Sequence, residues 1–303
     1  VSRRSENPAW EAHLALVGAQ IGFALYPILG KIALATIGPL PFAAFRVVAA
    51  AALLALLRRL SGAERVAPED RKRILLYALL GISFNQVFYI LGLSLTTAIN
   101  ATILNSMIPV YTLGAAALLK HERLTARAVL ALAVAGAGAL LLLRTERFDW
   151  GSNAFRGDLL LIANGISYAF YLVLSRPILA RYRVLTVVSG IFAYGTLPIL
   201  IAAAPALAAF DPSRVTPAGW ASLAAIIVFS TVLPYFWNSW ALARMHASRV
   251  AFYAFLQPLV STVLAVETLG ERLTLRTAMA SLLILSGLGV SLSPGRLPAR
   301  PIP

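Results

Sequence analysis

The chain has no cysteine, so neither a disulfide scaffold nor a cysteine-ligated metal site is open to it. Charge is also scarce. Only 13% of its 303 residues are Asp, Glu, Lys or Arg, whereas a soluble domain carries about a quarter, so the chain cannot cover a water-facing surface. No Asp or Glu falls in the middle of a long apolar run: Asp158, Glu122 and Glu267 all sit near run ends. A proton relay, a sodium site or a pocket for a dicationic compound would call for such a carboxylate. No glycine-rich phosphate loop with a lysine is present, hence no sign of an ATPase. His13, His121 and His246 lack metal-ligand spacing. No cofactor is expected.

What the chain has is apolar length. Hydrophobic residues make up 59% of it, and its mean hydropathy is +0.80. They come in runs of about twenty residues, the length that crosses a bilayer as a helix. Ten such segments can be drawn, at roughly 12–34, 40–58, 73–95, 97–119, 125–143, 157–179, 184–204, 217–243, 248–267 and 274–292. Helices are required because lipid offers no partner to an unpaired backbone group. The first run is too long for a signal-peptide core and reads as a retained spanning helix. The Pro-rich tail 294–303 reads as disordered.

The net charge of +14 invites a nucleic-acid reading, but the basic residues lie in short loops between apolar runs. Counted by alternate loops, one side collects 18 Lys and Arg, among them Arg58, Arg59, Arg71, Lys72 and Arg73, against 6 on the other. The bias places both termini in the cytoplasm and excludes nucleic acid as the explanation.

The same stretch is written twice, 149 positions apart. Pro109 aligns with Pro258, and Glu122-Arg123-Leu124-Thr125 with Glu271-Arg272-Leu273-Thr274. The repeats span 12–143 and 157–293. Five spans per repeat is an odd number, so the second copy inserts upside down relative to the first. Inverted repeats of this sort build transporters around a central site. The expected fold is an all-α integral membrane protein of ten transmembrane helices, arranged as two inverted five-helix repeats around a central cavity.

Polar residues inside the spans mark where that cavity would lie. Gln86 and Tyr89 share a helix face, and the repeat offset turns them into Tyr235 and Asn238. Asn105, Asn164, Tyr168, Tyr171, Tyr253 and Gln257 add amides and phenols from other spans. As a set these read as a substrate-binding face; taken singly, each competes with a role as hydrogen-bonding glue between helices. Lys31 and Arg46 are the basic residues well inside spans, and a central cation costs about 2.5–3.5 kcal/mol on the translocon scale. Snorkelling or structural pairing is the preferred reading for both, with contact to an anionic substrate as the alternative. Pro109, Pro234 and Pro258 interrupt helices and are candidate hinges.

These residues also carry a resemblance. Lys31 in the first span, Pro39 or Pro41 before Phe45-Arg46 in the second, Pro109 in the fourth and the paired Glu-Arg-Leu-Thr closures resemble the EamA type of the drug/metabolite transporter superfamily. Within it the chain is most similar to the YddG-like aromatic amino-acid exporters. The resemblance implies a multi-pass protein of a bacterial-type inner membrane that exports small metabolites by alternating access without ATP, amino acids including aromatic ones first among them. A multidrug exporter and a phosphorylated-metabolite carrier are the rivals within that class. From other classes, an intramembrane enzyme lacks a nucleophile–base pair, and a scaffold would not need an inverted repeat with matched polar faces. The expected partners are a small-molecule substrate and the lipid bilayer.

The charge bias can be tested directly because the chain lacks native cysteine. Single cysteines at Ser61, Ser152 and Ser213 are expected to differ in intact cells: an impermeant thiol reagent should label the second and third positions and miss the first. Labelling at Ser61 with protection at Ser152 would reverse the orientation.

Overall fold

The computed structural model describes residues 10–121, 126–142, 152–245, 247–270 and 272–292. The Glu122–Thr125 closure, Glu271 of its copy and the tail 294–303 lie outside the described residues. Every regular element among the described residues is helical. The first repeat opens with α1 (Trp10–Leu34) and α2 (Pro39–Leu60). Its third rod joins α3 (Arg71–Ala78) to α4 (Phe84–Leu95) through a π turn at Leu79–Ser83. The fourth rod is α5 (Ala98–Asn105) followed by α6 (Ile108–Leu118), and α7 (Ala126–Leu142) is the fifth.

The second repeat follows the same plan. It runs α8 (Asn153–Arg181), α9 (Val184–Ala208), then α10 (Pro217–Ile227) and α11 (Leu233–Leu242) flanking a π turn at Val228–Val232. Next come α12 (Ala247–Phe252), a 3₁₀ turn at Tyr253–Phe255, α13 (Leu256–Leu269) and α14 (Leu275–Leu292). Seven of these rods are long and apolar enough to cross a membrane. The rods of α7, of α12 with α13, and of α14 fall short of that measure among the described residues.

Local signals set where the rods begin. Pro39 and Pro217 occupy first-turn positions, where the missing N–H costs nothing. Thr97, Ser152 and Thr216 cap α5, α8 and α10 by accepting from Asn100 N, Phe155 N and Gly219 N. The two π turns start and end at matching repeat positions. Carbonyls of the first, released from the regular ladder, bond neighbouring elements: Ser167 Oγ donates to Leu80 O at 2.7 Å and Tyr235 Oη to Gly81 O at 3.0 Å. Proline does not cause the turns, because Pro234 follows one and Asn85 stands at the same place after the other.

The repeats interleave and do not form separate cores. α1 packs along α10, α11 and α13 of the other repeat, while α8 packs along α4, α5 and α6. α2 meets its own counterpart α9, and α7 meets α14. Large apolar side chains such as Leu14, Leu60, Leu118, Leu197, Ile201, Leu275 and Leu282 lie exposed on the outside, as a lipid-facing surface requires. Near the α1 end of the bundle, buried Asp70 receives Arg181 Nη1 and Tyr182 Oη, each at 2.8 Å, and ties the α2–α3 connection to the end of α8.

Gly22 is what lets α1 lie directly on the second π turn. A methyl group there would fall on the Phe229 carbonyl oxygen and the Pro234 ring, an overpacking worth about 1–3 kcal/mol. At Gly114, in α6, a methyl group would meet nothing within 4 Å, and helix propensity favours alanine by about 1 kcal/mol. Gly22→Ala is therefore expected to lower the melting temperature in detergent while Gly114→Ala raises it slightly. Equal effects would show that the close α1 contact is unimportant.

Candidate functional site

Where the repeats interleave they leave a cavity with about 570 Å³ of space free of atoms, its open mouth included. Eight of the ten polar residues expected to line one site do line it: Gln86, Tyr89, Asn105, Asn164, Tyr168, Tyr235, Asn238 and Gln257. The other two are elsewhere. Tyr171 packs against Gly81 and lies 3.3 Å from Ser239 Oγ, wedged between α8 and its neighbours. Tyr253 bonds the His13 ring and joins the start of α1 to the 3₁₀ turn. Sequence reasoning missed Gln20, Phe23, Tyr26 and Asn85 on the polar and aromatic wall. Gln20 and Asn85 are amides within spans, the same signal that marked the others.

Most of the amides are already engaged with one another. Gln86 Nε2 donates to Tyr235 Oη at 2.7 Å and to Asn85 Oδ1 at 3.0 Å. Asn164 Nδ2 donates to Asn85 O at 2.8 Å, Asn238 Nδ2 to Tyr168 Oη at 3.1 Å, and Gln257 Nε2 to Gln20 Oε1 at 2.6 Å. Gln86 and Tyr235 are repeat counterparts, 149 residues apart, in direct contact. Such a pair marks where the two copies meet. The glue and the cavity wall are thus the same residues. Asn105 Oδ1 differs: it is buried and has no hydrogen-bond partner among the described residues.

Arg46 does not snorkel. It is 1% exposed, and its guanidinium stands over the Tyr26 ring, 3.9 Å from the centroid. Nε donates to Thr231 Oγ1 at 2.6 Å, and Nη1 donates to Tyr26 Oη and Gln86 Oε1. These partners come from α1, α4 and the second π turn, and all are neutral. Lys31 is half-buried and is absent from the cavity lining. Tyr26 stacks on Tyr89 with centroids 4.6 Å apart, and Phe23 and Tyr168 meet the Tyr235 ring edge-on at 5.8 and 6.3 Å. These aromatic faces can receive a flat apolar group.

Each expected hinge proline sits just after a helix irregularity. Pro109 is the second residue of α6, beyond the break after α5; Pro234 is the second residue of α11, beyond the π turn; Pro258 is the third residue of α13, beyond the 3₁₀ turn. The two ends of the cavity also differ. α5 packs closely against α8, whereas its counterpart α12 makes no comparable contact with α1. The walls therefore stand apart at the end that carries the start of α1, bridged there by His13 and Tyr253.

A polar, aromatic-lined cavity between interleaved apolar helices is what a carrier of small molecules across a bilayer needs. The EamA-like transporter family matches residues 10–144 and again 155–293, and the chain belongs to that family. An uncharacterized transporter of Archaeoglobus fulgidus is 28% identical over 279 residues, covering 91% of this chain and 96% of its own length. The uncharacterized transporter YyaM of Bacillus subtilis is 24% identical over 264 residues, 84% of this chain and 86% of its own. The Arabidopsis thaliana protein WALLS ARE THIN 1 is 27% identical over 326 residues, with 92% and 81% covered. A solved crystal structure, 19% identical, shares the fold with a TM-score of 0.67 over 93% of this chain and 97% of that one. The protein is a multi-pass membrane transporter of small molecules and not an enzyme.

The contact between the counterparts Gln86 and Tyr235 has a measurable signature. A buried neutral hydrogen bond is worth about 1 kcal/mol net. In a thermodynamic cycle of Gln86→Leu, Tyr235→Phe and the double variant, a coupling of about 1 kcal/mol is expected. Strict additivity of the two losses would show that the pair does not interact.

Proposed function

We propose that this transporter carries amino acids, aromatic ones included, and that net flow is export from the cytoplasm. The carrying observation is the cavity wall: amides, phenols and aromatic faces from both repeats. An amino acid is zwitterionic, and such a wall accommodates both of its ends and its side chain. No carboxylate is among the described residues that line it, which speaks against a dicationic drug. A single cation among them speaks against a dianionic phosphate ester. The YddG-like resemblance points the same way.

In this reading the protein has ten spans in two inverted repeats, 12–143 and 157–293, within a bacterial-type cytoplasmic membrane. The seven long rods, the three shorter ones and the matching π turns support the count. The loop charge bias supports cytoplasmic termini. Interleaving of each repeat's first helix with the other repeat, and contact between counterparts in α2–α9 and α7–α14, support the inversion. Alternating access then moves the wall between two conformations, with Pro109, Pro234 and Pro258 as the flexing points. The wider end beside the start of α1 faces the cytoplasm. No ATP is used, and the substrate runs down its own gradient.

The test is flux of a panel of amino acids into proteoliposomes with equal pH and salt on both sides, repeated with an imposed proton gradient. Saturable downhill flux of phenylalanine, tryptophan and leucine in both conditions is expected. Accumulation above the external concentration only with the gradient would establish coupling, and absence of flux for every amino acid would remove the substrate class.

A further inference from the structure

We infer that Arg46 is the substrate-recognition residue of the cavity, and that it selects for a singly charged anionic group, a carboxylate, presented end-on to its Nη2 nitrogen. This rests on the cavity being the transport site. Arg46 is the only acidic or basic side chain among the described residues that line it. Its hydrogen bonds leave one nitrogen over. Nε carries one N–H, used on Thr231; Nη1 carries two, used on Tyr26 and Gln86. Nη2 has no partner among the described residues, and it is not one of the fully enclosed orphan atoms. It therefore borders open space, and the open space at Arg46 is the cavity.

The electrostatics point to an anion. No carboxylate lies within ion-pair distance of Arg46 among the described residues, whose ion pairs gather at Asp70, Glu69 and Asp211. A guanidinium almost wholly buried, reaching open space only at the cavity, and held by neutral groups has no counter-charge among the described residues. An incoming carboxylate supplies the missing counter-charge and a charge-assisted bond. Tyr89 Oη, stacked beside Tyr26, also makes no hydrogen bond among the described residues and lines the same space. One free nitrogen offers no two-pronged grip, so a compact monoanion fits where a phosphate ester would leave a second charge unmet.

The repeat makes the recognition one-sided. The counterpart of Arg46 is Gly195, and the counterpart of its partner Thr231 is Ile82. Gly195 packs against Ile82, so the same contact is rebuilt in the other copy without any charge. The carboxylate end of a substrate thus has one place to bind and cannot exchange ends.

The experiment is calorimetric titration of the purified full chain in chloride-free detergent buffer with five probes sharing one ring. These are L-phenylalanine, 3-phenylpropionate, L-phenylalaninamide, 2-phenylethylamine and phenyl phosphate. The two carboxylates are expected to bind about tenfold to a hundredfold tighter than the amide and the amine, the range for a charge-assisted bond, with phenyl phosphate behind them. Arg46→Gln should erase that preference and Arg46→Lys should retain most of it; the wild-type ranking stands as evidence even if a variant fails to fold. Phenylalanine and its amide binding equally would overturn the role of Arg46 and leave the amino-acid reading intact. Phenylpropionate binding without phenylalanine would support Arg46 and overturn the amino-acid reading. Binding of neither carboxylate overturns the assignment.

Discussion

A guanidinium buried in an apolar bundle has to be held from several directions at once, and the arrangement around Arg46 follows from that need. Its partners come from α1, α4 and the π turn before α11, so elements of both repeats converge on one side chain. The lone donation of Nε fixes Thr231, and Thr231 in turn donates to Ile226 O, five residues back, within the widened helix. Were the turn regular, the hydroxyl would point along a different bearing. The close seat of α1 on that turn, through Gly22, then brings Tyr26 onto the same guanidinium. Backbone irregularity, glycine contact and cation form a single mechanical unit.

The repeats agree in backbone and differ in chemistry. Both have the π turn at the same position, and both place an amide or a phenol one turn beyond it, which is why Gln86 and Tyr235 meet. The site's special groups come from one copy only. Arg46, Tyr26 and Asn105 have Gly195, Ser175 and Ala254 as counterparts. A duplicated scaffold supplies two-fold shape, and substitutions in one copy supply a direction for an asymmetric ligand.

The parts legible in the sequence were those that lipid or duplication forces into composition. Apolar runs had to become helices, and Gln86 with Tyr235 stood out because both copies retain a polar group there. Gln20 and Tyr26 left no paired signal, since Ala169 and Ser175 replace them in the other copy. Tyr171 misled because residues three apart share a helix face without sharing a neighbour: Tyr168 meets the cavity and Tyr171 meets Gly81. The π turns were invisible, because no residue type specifies them and only one is followed by proline. Distance along its helix left snorkelling and structural pairing both open for Arg46, and the geometry is that of pairing. Depth in the sequence does not say whether a long side chain faces lipid, where it would reach for the surface, or the bundle interior, where it is held.

Unequal ends follow from the same asymmetry. At the end of the cavity beyond Arg46, Tyr26 stacks between Tyr89 and Phe42. Their counterparts at the opposite end are Ser175, Asn238 and Ile191, which cannot rebuild an aromatic stack. At that opposite end His13 and Tyr253 are bonded to one another, while Asp70, Arg181 and Tyr182 brace the connections around them. A stack of rings closes by area and is indifferent to what sits below it. A single polar bridge is weaker and more readily exchanged for water or for a passing polar group. In an alternating-access cycle the two conformations would then differ in stability even though the backbones of the two copies match.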